Sequence, residues 1–228
     1  VRPRREREEE LLVWPDLVFV EFICATLFTI SFTVVSALVN APLINRANAD
    51  ITPNPSKAPW YFLNLQELLL HMDKGLAGVI VPTLWIGFMM TIPYIDRSRE
   101  GVGIWFTTPT GKRLAIFSAI YGTVLTFGLI GLDFVLKKIG YVEFASQYLP
   151  GGKVLFPDYL IPIGTMVVLT ALLVLLAKRI FNATTREVMI AVWTAWVCTY
   201  LVLTFVGTSM RGPGMDLYAP WNLPTTIE

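Results

Sequence analysis

Five apolar blocks, each about long enough to cross a bilayer, dominate this 228-residue sequence and leave few folds open to it. They run from about Leu17 to Ala41, Leu76 to Ile95, Leu114 to Leu132, Tyr159 to Ala177 and Val188 to Val206. A helix needs roughly 20 apolar residues to cross the hydrocarbon core. Within lipid, a lone segment must satisfy its own backbone N–H and C=O groups, which a helix does and a single strand does not. Charged residues make up only 15% of the chain, against about 25% in a soluble domain. These features predict an all-α integral membrane protein with about five transmembrane helices.

Basic residues gather between the blocks. Arg2, Arg4, Arg5 and Arg7 precede the first, Arg97, Arg99, Lys112 and Arg113 separate the second from the third, and Lys178, Arg179 and Arg186 separate the fourth from the fifth. The positive-inside rule assigns these segments to the cytoplasmic side. The N-terminus is then cytoplasmic, and the C-terminal tail lies outside. The formal net charge of +1 gives no field that would attract nucleic acid. The first block is too long for the core of a signal peptide and lacks a cleavage site, so a first spanning helix is expected there. Cys24 and Cys198 both fall inside apolar blocks and read as buried small hydrophobes rather than a disulfide or metal pair.

The stretch between the first two blocks is not simply a connector. Thr52-Pro53-Asn54-Pro55-Ser56-Lys57-Ala58-Pro59 cannot be helical, because proline fixes φ and removes donors. It runs into Trp60-Tyr61-Phe62 and then into Asn64–Lys74, which has a helical period. Asn64, Glu67, His71 and Lys74 form one stripe, with Leu65, Leu68, Leu69 and Met72 on the other side. A short helix lying at the membrane surface is expected in this first outer loop, with its polar stripe solvated. Glu67 and His71, at i and i+4, can meet, and they are the candidates for proton relay. No metal-ligand spacing is present. A bis-histidine haem needs two imidazoles, and His71 is the single histidine, so this chain holds no such haem by itself. Glu21, Asp96, Asp133 and Asp158 read as groups at or near the ends of spans.

These residues resemble the C-terminal half of cytochrome b, and most closely its split form, subunit IV of cytochrome bc- and b–f-type quinol reductases. The family's loop reads Thr-Pro, six residues, then Trp-Tyr-Phe, and Thr52-Pro53 and Trp60-Tyr61-Phe62 fit it without a gap. Leu76-Ala77-Gly78-Val79 is similar to the family's Leu-Leu-Gly-Val, and Pro93-Tyr94-Ile95-Asp96 to its Pro-Phe-Leu-Glu. The likeness covers residues from about 14 to 132. It divides the chain into a cytoplasmic segment (1–16), a three-helix subunit IV-like domain (17–133), an appended two-helix segment (134–208) and an outer tail (209–228).

The resemblance implies a subunit of a quinol:cytochrome c oxidoreductase in a bacterial cytoplasmic membrane. Pro59, Trp60, Tyr61 and Phe62 would line a quinol-oxidation pocket on the positive side. The implied partners are a haem-bearing N-terminal cytochrome b subunit, a Rieske iron–sulfur protein, a c-type cytochrome and membrane lipids, within a dimeric complex. The family's loop often carries Pro-Glu-Trp-Tyr, with the glutamate as quinol ligand and proton acceptor. Here the positions are Ala58-Pro59-Trp60-Tyr61, so that group is missing. The proline favours menaquinol as the quinol, and Glu67 is the expected substitute acceptor. The alternatives are a purely structural subunit and, less well supported by the polar residues Thr29, Ser31, Thr33, Ser36, Thr170, Thr194 and Thr199, a small transporter or channel.

Overall fold

The computed structural model describes residues 12–40, 46, 48–50, 52–97, 105–106, 108–148 and 155–223. Arg2, Arg4, Arg5, Arg7, Arg99 and most of the segment 1–16, all used above to orient the chain, lie outside the described residues. All regular structure among the described residues is helical, apart from one isolated antiparallel bridge between Arg211 and Leu217. The chain divides at Ala49–Asp50 into two units.

The first unit contains α1, Val18–Leu38, which continues a π-helical turn at Val13–Leu17. None of its side chains is buried. Cys24 is exposed there, contrary to the expectation of a buried cysteine, and Cys198 is half-buried on another helix. The hydroxyls of Thr26, Thr29, Ser31 and Thr33 each donate to the carbonyl four residues earlier at 2.7–2.8 Å. These polar groups are therefore satisfied within their own helix, as hydroxyls in lipid commonly are.

The second unit begins with the Pro-rich loop and the short α2, Leu63–Leu69, led by a 3₁₀ turn at Trp60–Phe62. Helix α3, Val81–Ile95, follows a π-helical turn at Leu76–Ile80, and α4 spans Pro109–Ile139. Helix α5, Tyr141–Tyr148, is short; α6 covers Ile161–Phe181 after a π-helical turn at Leu155–Leu160, and α7 covers Thr185–Ser209. Five helical stretches are long and apolar enough to cross a membrane: Val13–Leu38, Leu76–Ile95, Pro109–Ile139, Leu155–Phe181 and Thr185–Ser209. The fold class expected from the sequence is thus the one observed. Most of these helices extend past the apolar blocks, because hydropathy marks only the lipid-immersed part. Thr108, for example, caps α4 by accepting from Gly111 N at 3.0 Å, six residues before Leu114, where the apolar block was expected to begin.

Helix α7 is the centre of the second unit, packing along α4 and beneath α2. The α4–α7 seam is built from small residues. Ala115, Ser118, Gly122 and Thr126 on α4 and Ala191 and Ala195 on α7 are all buried. A Cβ on Gly122 would stand 2.5 Å from the Ala195 carbonyl oxygen, so only glycine permits this crossing. Without a hydrophobic drive between helices in lipid, such close backbone approach supplies the packing. Thr126 and Thr199 add a hydroxyl contact of 3.0 Å across it. Toward one end of the seam Ala191 clusters with Leu114 and Ala177; toward the other Ile130, Val202, Leu203 and Val206 pack with Leu68. Trp85 of α3 stacks on Trp196 of α7 with centroids 4.3 Å apart and planes 11° from parallel.

The two ends of this bundle are tied differently. At one end the Thr108 hydroxyl donates to Glu187, whose other carboxylate oxygen caps α7 through Thr184 N at 2.8 Å, and Arg186 pairs with Asp96 at 3.5 Å. The other end carries α2, the Pro-rich loop and the tail. We predict that Gly122→Val lowers the unfolding temperature of the detergent-solubilised protein, corresponding to the 1–3 kcal/mol, roughly, that overpacking costs. An unchanged melting profile would contradict the close α4–α7 crossing.

Candidate functional site

The Pro-rich loop is fixed at both flanks. Gln66 of α2 accepts from Ala58 N at 2.7 Å and donates to the Ser56 carbonyl at 2.7 Å. Lys57 donates to the Thr208 carbonyl at 3.0 Å, and Gly214 N donates to the Asn54 side chain at 2.6 Å. The loop is thereby bound to α2, to the end of α7 and to the tail. At its tip, Trp60 is 70% exposed, Tyr61 50% and Phe62 53%, with Trp60 meeting Tyr61 edge-on at 5.7 Å. Pro59 precedes them in extended conformation, and is exposed too. The four loop residues singled out in the sequence therefore form one contiguous exposed apolar edge on an anchored backbone.

Glu67 and His71 do not lie on a solvated face. Glu67 is fully buried, and the imidazole of His71 is largely buried. The expectation failed because the polar stripe of α2 turns toward α7 and the tail rather than toward water. Arg211, also buried, donates from Nε to Glu67 Oε2 at 2.9 Å and from Nη2 to Oε1 at 2.5 Å, and its Nη1 donates to the Met215 carbonyl at 2.8 Å. His71 Nε2 lies 3.2 Å from Glu67 Oε1, and Nδ1 lies 2.5 Å from Asp133 Oδ2. Lys137 completes the row at 2.8 Å from Asp133, while its ammonium also donates to the Leu70 carbonyl at 2.7 Å. A single polar row, Arg211–Glu67–His71–Asp133–Lys137, thus joins the tail, α2 and the end of α4.

Charge complementarity governs this row. Burial by itself would push the Glu67 carboxyl up. The hydrogen bonds from His71 and Arg211, with their positive charge, outweigh it and hold the group below its ordinary value of 4.5. Burial likewise disfavours the imidazolium of His71. Its hydrogen bonds to Asp133 and Glu67, with their negative charge, outweigh that and raise it above its ordinary 6.5. Nearby, Asp73 Oδ1 accepts from Gly75 N at 2.8 Å and Leu76 N at 3.2 Å and starts the next span, and Asp73 N donates to the Asp158 carbonyl. A cleft of about 580 Å³ opens beside the row, between the end of α4 and residues 211–218.

Arg211 and Asp133 were missed as site residues. Arg211 carried one usable signal: it is the lone basic residue of the tail, set directly after a span, at the same end as an acidic residue in a half-apolar stretch. Asp133 carried none, because a carboxylate at the end of a span ordinarily faces water.

Geometry and comparison together define the class: a multi-pass, all-α membrane protein with an anchored aromatic loop beside a buried ionic row. Residues 46–147 match the family described as cytochrome b (C-terminal)/b6/petD, and over that stretch the chain is similar to that family. The match begins after α1 and reaches α5, so it is shifted toward the C-terminus from the likeness read between 14 and 132. Among curated proteins, the chain is 28% identical over 92 residues to the menaquinol:cytochrome c reductase cytochrome c subunit of Bacillus subtilis (strain 168), covering 38% of this chain and 36% of that protein. It is 25% identical over 112 residues to the protein of the same name from Geobacillus thermodenitrificans, covering 47% of this chain and 45% of that one. The matched part spans less than half of either relative. No solved structure matches.

Two outcomes are expected of the row. Arg211→Met, which strands the Glu67 carboxylate in the interior, should destabilise by about 3–5 kcal/mol, and Arg211→Met combined with Glu67→Leu should recover much of that loss in denaturation of the solubilised protein. The pH dependence follows from the two shifts. Glu67 is depressed, so its contribution is present above 4.5 and lost as pH falls through the folded value. His71 is raised, so its contribution is present below 6.5 and lost as pH rises through the folded value. Stability from this pair should therefore peak between these ordinary values and decline on the alkaline side. His71→Gln should remove that alkaline decline; a decline that survives the substitution assigns it to other groups.

Proposed function

We propose that this chain is a subunit of a membrane quinol:cytochrome c oxidoreductase and that Pro59, Trp60, Tyr61 and Phe62 form one wall of its quinol-oxidation pocket. The observation that carries this reading is the family match across the loop, α2, α3 and α4, together with the exposed aromatic edge at the loop tip. A pocket for an apolar ring with two polar oxygens needs flat apolar walls on a stiff frame. The Gln66, Asn54 and Lys57 bonds supply the frame, and the exposed rings are the free half of a wall that a second chain would complete.

The chain is not catalytic alone in this reading. A haem-bearing N-terminal cytochrome b subunit grips the other side of the quinol, and a Rieske protein and a c-type cytochrome take electrons onward, within a dimeric complex. The quinol is menaquinol, favoured by Pro59 at the loop position and by the names of both relatives. The membrane is the bacterial cytoplasmic membrane, with the N-terminus inside and the loop and tail outside. In this reading the subunit IV-like domain (17–133) is followed by an appended helix pair (134–208). Glu67 and His71 relay a proton released from the quinol.

A purely structural subunit is the second reading, favoured by the complete engagement of Glu67 with Arg211 and His71. The test is the purified complex carrying Trp60→Ala. Quinol-dependent cytochrome c reduction should fall about tenfold, equal to about 1.4 kcal/mol of lost interaction, with haem content unchanged. A quinol-site inhibitor should also protect Trp60 and Tyr61 from chemical labelling. Full turnover together with unprotected rings would favour the structural reading.

A further inference from the structure

The end of the bundle opposite the loop carries positive charge that the chain itself does not neutralise. Lys112 and Arg113 stand just inside the N-terminus of α4, and Lys178 and Arg179 in the last turn of α6. All four are exposed. Leu114 and Ala177, their immediate neighbours in sequence, are buried in one cluster with Ala191 of α7, so the cations lie at one level around the α4–α6 seam. Among the described residues none of the four has an ion pair. Asp96 and Glu187, the described carboxylates at this end, are engaged elsewhere: Asp96 with Arg186, and Glu187 with Thr108 and Thr184. The α6 pair suits the negative end of its helix dipole, but the α4 pair sits near a positive end. No acidic residue stands in the first turn of α4 to offset it.

Toward the bilayer interior both helices turn apolar and stay exposed. On α4, Lys112 heads a row at helical spacing formed by Ile116, Ile120 and Val124; on α6, Arg179 heads another, formed by Leu175, Leu172 and Val168. Between the rows the seam is closed. Phe117 meets Phe181 with ring centroids 5.4 Å apart, and the Tyr121 hydroxyl donates to the Leu169 carbonyl at 2.8 Å. An occupant that satisfies this whole face must bring anionic oxygens to the level of the cations and hydrocarbon to the rows beneath them. An acidic protein segment or a free phosphate would answer the charges and leave the rows uncovered.

We propose that the α4–α6 face binds one anionic phospholipid, whose phosphodiester is held by Lys112, Arg113, Lys178 and Arg179 and whose acyl chains lie along the two apolar rows. Lys and Arg beside spanning helices attract anionic headgroups, and a guanidinium can grip two phosphate oxygens at once. With its headgroup on both helices, the lipid joins the end of α6 to the start of α4 from outside the seam. Helix α6 lies beyond the matched residues 46–147, so half of this site is built from the appended helix pair. The site depends on the spans and on the placement of the cations, and not on quinol oxidation.

The experiment delipidates the full chain in neutral detergent and titrates it with phosphatidylglycerol, phosphatidylethanolamine or inorganic phosphate, counting bound species by native mass spectrometry. Phosphatidylglycerol should fill one site about tenfold or more tighter than phosphatidylethanolamine, and the difference should shrink as salt rises. Replacing all four cations with glutamine should abolish that preference, whereas Lys74→Gln with Lys138→Gln should leave it intact. These cations also help to orient the chain during insertion. If the fourfold variant does not accumulate, Arg113→Gln with Lys178→Gln keeps two of them and should still weaken the preference several-fold. Independently of any variant, phosphatidylglycerol with a photoreactive acyl chain should label the exposed rows on α4 and α6. Equal binding of the two lipids, a preference that survives loss of the cations, or labelling confined to other helices overturns the proposal. Inorganic phosphate binding as tightly as the lipid also overturns it, because the site would then hold an ion without hydrocarbon.

Discussion

A buried ion pair between Glu67 and Arg211 holds together the end of the second unit that carries α2, the Pro-rich loop and the tail. The pair joins residues 144 positions apart and ties a seven-residue helix to the tail beyond the last span. A helix that short has no stability of its own in water. What keeps α2 in place is its packing on α7, where Gly207 lets the Leu63 backbone approach, and the charges that lock its polar stripe inward. Burying two charges is costly, and only full hydrogen bonding offsets that cost. Here Arg211 uses Nε, Nη1 and Nη2, and Glu67 uses both oxygens, so the requirement is met.

From that anchor the loop inherits its position. Gln66 lies beside Glu67 and bonds the backbone at Ser56 and Ala58, while the tail that carries Arg211 also bonds Asn54 through Gly214. The exposed Trp60–Tyr61–Phe62 edge is therefore held by the same two elements that bury the ionic row. In a membrane protein an exposed apolar edge of this kind faces either lipid or another chain. The loop's rigidity and the row's charge state are thus one mechanical system, and disturbing either should be felt in the other.

How much of this could be read from the sequence depends on the range of the interaction. The spans were legible because apolar runs of bilayer length permit one backbone solution, and Leu76 to Ile95 was placed to the residue. The rigid loop was legible from its prolines and its spacing to Trp60. The inward turn of Glu67 and His71 was not, because helical periodicity shows which residues share a face but not what that face meets. Glu67 looked solvated only while Arg211 and Asp133 were read separately, one as a tail residue and the other as the end of a span. The central place of α7 was also hidden, since Ala191, Ala195 and Gly122 contribute through smallness, which leaves little trace in hydropathy.

The central claim is that the interior of this end is ionic: Glu67 charged against Arg211, and His71 charged between two carboxylates. Isotope-edited NMR of the protein in lipid, with ¹³C in the glutamate carboxyl and ¹⁵N in the single histidine, reads both states directly. At neutral pH the account requires a carboxylate shift for Glu67 and two protonated ring nitrogens for His71. A carboxylic acid at Glu67, or a neutral imidazole with one bare nitrogen, would contradict it.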